Sequence, residues 1–131
     1  MSRKEIVVHS LADADAALAA ASACDLPVTL ASAPGAALQA GPAWFKAVIA
    51  AARAHHLDRD VTAILDCGDS PGAVMASLRE GLTNLRFSGT AEVRDKLAAM
   101  GAIFAPPAEL VLDLLGRHAP VEACTQFLAA D

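Results

Sequence analysis

The sequence predicts an α/β protein built around a parallel sheet. Short apolar runs rich in β-branched residues alternate with segments of helical periodicity, and five such strand–helix units follow one another. The turns are mostly short, and parallel neighbours need a helical crossover between them. The length of 131 residues is that of a single domain. It is too short for the roughly 250 residues of a complete eight-unit barrel.

Composition and charge exclude several function classes. The net charge is −5 at pH 7 and the basic residues are scattered singly, whereas nucleic-acid binding needs a basic surface. Apolar runs stay below the roughly 18 residues of a membrane span, and the N-terminus has no signal-peptide pattern. We therefore expect a cytoplasmic protein that contacts neither nucleic acid nor membrane. Cys24, Cys67 and Cys124 are too far apart to predict a disulfide framework or a zinc knuckle.

The first two units are predicted from their caps and periodicity. Residues 6–9 form a β-branched strand, and Ser10 caps a helix that ends before Pro27. Residues 28–32 form the second strand and lead into a stretch of small residues. Pro42 then begins the longest helix. The predicted buried stripe of that helix consists of Trp44, Phe45, Val48, Ile49 and Ala52.

The remaining three units repeat the same signals. Strands are predicted at residues 61–65, 84–87 and 102–105. Ser70 and Thr90 cap the helices that follow the first two of these strands, and glycines end both helices. Residues 106–115 are predicted to form another helix, and a last short helix begins at Pro120. The apolar positions that predict the helix within residues 106–115 are Leu110, Val111, Leu114 and Leu115.

Polar residues follow the predicted strands at their carboxyl ends, where parallel α/β folds bind ligands. Asp66 at such a position is either a catalytic acid or base, or an acid that only caps a turn. Cys67 is either a metal ligand or nucleophile, or a small buried apolar residue. Position alone leaves both pairs of alternatives open. The full set of strand-end residues is His9, Ser32, Asp66, Cys67, Ser88 and Gly89.

Three motifs in order resemble the class II, metal-dependent fructose-bisphosphate aldolases. The stretch "LPVTLASAPGAA", with Ala40-Gly41 shortly after, resembles the family's second strand–helix unit. The stretch "ILDCGDSP" at residues 64–71 resembles the family's Leu-Asp-His-Gly, which is often followed by Asp-Ser. The stretch "GLTNLRFSG" at residues 81–89 is similar to the segment that follows in the family. The resemblance covers about residues 6–101.

This resemblance implies a particular fold. It implies the first four units of a (β/α)₈ barrel, and therefore a partial, half TIM barrel with sequential strand order 1-2-3-4-5. Residues 1–131 would form one domain, in which a short strand and C-terminal helices of residues 102–131 cover the open edge. The alternative is a flavodoxin-like, doubly wound sheet of order 2-1-3-4-5.

The resemblance also assigns site residues. It gives Asp66 the catalytic acid/base role and places Cys67 where the family has a zinc-binding histidine. Ser88 falls where the family has an aspartate, and Ser32 and Gly35 fall on its substrate side. His9 is the nearby histidine that could share a zinc ion with Cys67. A zinc site needs three protein ligands. The expected rim for a small phosphorylated ligand is Ser32, Gly35, Ser88 and Gly89.

The departures from the family decide the expected function. Cys67 replaces a metal-binding histidine, and the other ligands and sugar-phosphate loops of the family have no counterpart in this sequence. We therefore expect a non-catalytic, aldolase-derived protein with a binding, regulatory or structural role and without a cofactor. The alternative is a metal-dependent lyase acting on a ketose phosphate, with its zinc site completed across a dimer interface. A half barrel leaves sheet edges exposed, which predicts a homodimer.

Overall fold

The computed structural model describes residues 3–130. Helices and strands alternate along most of this range, as the sequence predicts. The strands are β1 (Lys4–Val7), β2 (Val28–Ala31), β3 (Val61–Asp66), β4 (Asn84–Arg86), β5 (Ile103–Phe104) and β6 (Leu110–Asp113). The helices are α1 (Leu11–Cys24), α2 (Ala36–Gln39), α3 (Pro42–His55), α4 (Pro71–Arg79), α5 (Ala91–Ala99) and α6 (Pro120–Ala129).

The strands form one sheet in the order β5-β4-β3-β2-β1-β6. The pairings β1–β2, β1–β6, β3–β4 and β4–β5 are all parallel. The sequential order of the first five strands is therefore confirmed, and the doubly wound alternative is wrong. β5 and β6 are the two ends of the sheet, so the sheet is not closed into a barrel.

The predicted helix at residues 106–115 is wrong. Its centre is strand β6, which pairs with β1 in the register Ile6↔Leu112. Leu112 of this strand and Leu114 just beyond it are buried, whereas Leu110, Val111 and Asp113 are exposed, so burial follows the two-residue period of a strand from Val111 to Leu114. The edge beside β1 is thus covered by a strand, where the sequence predicted a helix.

The helix boundaries follow the predicted capping residues. Ser10, Ser70 and Thr90 each precede a helix, and the hydroxyl of each accepts the backbone N–H three residues later. Pro42, Pro71 and Pro120 begin α3, α4 and α6. These predictions are confirmed because a cap acts within one helical turn. The short helix α2 lies in the small-residue stretch that the sequence left without a predicted element.

The described residues group into two compact units. The first contains residues 3–31, 48–63 and 107–130, and the second contains residues 32–47 and 64–106. The single-domain assignment of residues 1–131 stays a prediction. No helix within residues 3–130 combines the length and apolar character required to cross a membrane.

In the first unit, α1 is buried on several sides because it packs on α6 and β2. Its small alanine side chains permit this close packing. Lys4 connects β1 to α6. Its Nζ donates to Phe127 O at 2.8 Å and lies 5.6 Å from the Phe127 ring centroid. The fully buried large side chains of this unit include Ile6, Val8, Leu18, Leu30 and Leu114.

In the second unit, the buried side chains come from strands β3 and β4 and from the helices around them. Phe45 is buried as predicted, whereas Trp44 is only partly buried. The Phe87 and Phe104 rings stack with their centroids 5.7 Å apart. Leu65, Val74 and Leu85 are fully buried.

Candidate functional site

Asp66 ends β3 and holds two turns with one carboxylate oxygen. Its Oδ1 accepts the N–H of Gly35 at 3.0 Å and the N–H of Gly68 at 2.8 Å. Both glycines have positive φ, 70° for Gly35 and 59° for Gly68, a conformation that glycine adopts without strain. The carboxylate therefore acts as a hydrogen-bond acceptor that joins the loop after β2 to the turn after β3.

Ser32, directly after β2, supports the same arrangement. Its hydroxyl accepts the backbone N–H of Asp66 at 2.9 Å and lies 3.1 Å from Ala33 O. Ser32 is buried, and Gly35 is partly buried beside it. The structure thus brings Ser32, Gly35 and Asp66 together through local hydrogen bonds, and their role in binding a ligand stays a prediction.

Cys67 lies against helix α4, within the core. Its Sγ is 3.7 Å from Ser77 Oγ and 3.9 Å from Leu65 O, and the residue is 0% exposed. Burial raises the pKa of the Cys67 thiol, the hydrogen bond with Ser77 opposes this rise, and the nearby Asp66 carboxylate adds to it. The thiol is therefore held in its neutral form, whereas metal ligands and nucleophiles are thiolates.

Ser88 and Gly89 form the turn that follows β4. Ser88 is exposed, and its N–H donates to Gly68 O at 2.8 Å, which joins this turn to the one that Asp66 holds. Gly89 lies directly against the Phe87 ring, because a Cβ at this position would come 2.1 Å from Phe87 Cζ. The ligand-binding role of these two residues stays a prediction.

His9 belongs to the first unit and pairs with an acid that the sequence did not single out. Its Nε2 lies 2.6 Å from Oδ1 of Asp113, the last residue of β6. The backbone N–H of His9 donates to Asp13 Oδ2 at 2.9 Å. His9 therefore links the β1–α1 turn to the end of β6.

Asp113 stabilises the fold in its charged form. Partial burial acts to raise its pKa, but the Leu115 N–H, the contact with His9 and the charge of Arg117 outweigh burial and lower the pKa. A carboxyl with a lowered folded-state pKa stabilises above its unfolded pKa, about 3.9. That stabilisation is lost as the pH falls through the folded-state value.

We expect Asp113→Asn to lower the free energy of unfolding at pH 7 by about 0.5 kcal/mol, because solvent screens a half-exposed pair. The difference from the wild type should shrink as the pH falls below about 4. Urea unfolding of both proteins across this pH range measures it. A difference that stays constant with pH would show that the charge of Asp113 is irrelevant to stability.

The zinc site implied by the resemblance is not supported by the described side chains. Within residues 3–130, no group of three His, Cys, Asp or Glu side chains is arranged to hold a metal ion. His9 contacts Asp113, and the thiol of Cys67 contacts Ser77. Zinc sites need three protein ligands at least, so these residues do not fit the metal.

Two partners of the predicted site residues were missed in the sequence. Asp113 lies in the segment that was predicted as a helix, so nothing in the sequence predicted its contact with His9. Ser77 is a polar residue within an otherwise apolar helix face, and its hydroxyl also donates to Ala73 O at 2.8 Å. A serine on the buried face of α4 was the sequence feature that indicated a polar contact between this helix and the sheet.

The comparisons with known proteins agree with the motifs. No model of a protein family matches the chain. A plasmid-encoded fructose-bisphosphate aldolase of Cupriavidus necator is 34% identical over 83 residues, which are 63% of this chain and 24% of that protein. The chain therefore spans about a quarter of the length of this curated relative.

A solved structure has a similar fold. A fructose-1,6-biphosphate aldolase candidate from Coccidioides immitis, solved by crystallography, superposes with a TM-score of 0.59 at 18% identity. The superposition covers 79% of this chain and 40% of the other. The sequence comparison shows that this chain is similar to one part of a fructose-bisphosphate aldolase, and the superposition shows that the fold is similar.

Proposed function

We propose that this aldolase-related protein is not an aldolase and serves a binding, regulatory or structural role. The observation that carries the proposal is the state of Asp66 and Cys67, the two residues that stand at the family's acid/base and metal-ligand positions. Both side chains instead make contacts that stabilise the fold.

Asp66 supports the proposal through its hydrogen bonds. An acid or base must reach the proton that it transfers, and its pKa must suit the reaction. Oδ1 of Asp66 instead accepts two backbone N–H groups, from Gly35 and Gly68. These bonds fix the carboxylate in place as the acceptor of a turn.

Cys67 supports the proposal through its burial. A zinc ligand needs a deprotonated sulfur directed at the metal and at further ligands. The Cys67 sulfur is directed at the Ser77 hydroxyl and has a raised pKa. Moving it to a metal would break this contact and open a space beside α4.

We also propose a cytoplasmic location, because Cys24, Cys67 and Cys124 are all free thiols. A small phosphorylated ligand remains the class that the aldolase relationship favours for the rim. Ser88 is the exposed hydroxyl of that rim and the most direct candidate to contact such a ligand.

The test is a metal analysis joined to an activity assay. We expect the protein, incubated with zinc and dialysed, to retain less than a stoichiometric amount of zinc and to leave fructose 1,6-bisphosphate uncleaved. A zinc-dependent aldolase treated in parallel is the positive control. Stoichiometric zinc that is lost in Cys67→Ala, together with cleavage of the ketose phosphate, would instead establish a metal-dependent lyase.

A further inference from the structure

We draw no further inference here: the strongest candidate, the exposed apolar outer edge of β6 at Val111 and Leu115, carries none because nothing in the structure shows what covers it.

Discussion

Replacing Asp66 by alanine should lower the free energy of unfolding by about 2–3 kcal/mol, whereas asparagine should cost less than about 1 kcal/mol. Alanine removes the acceptor of the Gly35 and Gly68 N–H groups. Asparagine keeps a carbonyl oxygen at the same place and loses only the charge. Urea unfolding at pH 7 measures the difference between the two variants.

Asp69 is the matched control for this experiment, because it is an exposed acid in the same turn. Asp69→Ala should change the free energy of unfolding by less than about 0.5 kcal/mol. If Asp66→Ala and Asp66→Asn were equally stable, Asp66 would not hold the turns through its oxygen. A carboxylate kept for catalysis alone would give that result, because its removal would abolish activity without altering the fold.

Replacing Cys67 by histidine should lower the free energy of unfolding by about 3 kcal/mol and should create no zinc site. The aldolase resemblance places histidine here, but the side chain at this position is fully buried against Ser77. An imidazole is larger than a thiol and brings polar nitrogens that need partners. Urea unfolding and calorimetric titration with zinc measure the two effects.

Cys67→Ser is the matched control for size, since it changes the sulfur to oxygen with little change in volume. It should cost less than the histidine variant, because the Ser77 hydroxyl can still contact the new group. A histidine variant as stable as the wild type that binds one equivalent of zinc would contradict our account. It would show that the strand end still holds the geometry of a metal site.

The helices could be predicted because their signals are local. Ser10, Ser70 and Thr90 cap the N–H three residues ahead, and proline at a first helical position is compatible with any helix start. The same reasoning failed at β6. Apolar residues at 110, 111, 114 and 115 suit one face of a helix, yet residues 110, 112 and 114 also alternate as in a strand. Pairing with β1 decided between the two periods, and that pairing spans most of the chain.

The site could be predicted only in part. The motif placed Asp66 and Cys67 at the end of one strand, which is where both lie. The sequence placed both residues in one candidate site, but what each side chain contacts depends on which elements pack against the strand end. The structure shows the consequence, with Asp66 bound to the loop glycines and Cys67 bound to α4.

Local sequence is therefore sufficient for the α/β class and most helix boundaries, because caps and periodicity act over a few residues, whereas the sequential strand order was implied only by the family resemblance. Tertiary structure alone decided what the strand-end residues contact. Gly35 and Asp66 are 31 residues apart, and His9 and Asp113 are 104 residues apart. Such partners meet only when the sheet has formed. Asp66, which the resemblance places at a catalytic position, then accepts the N–H groups of two turns.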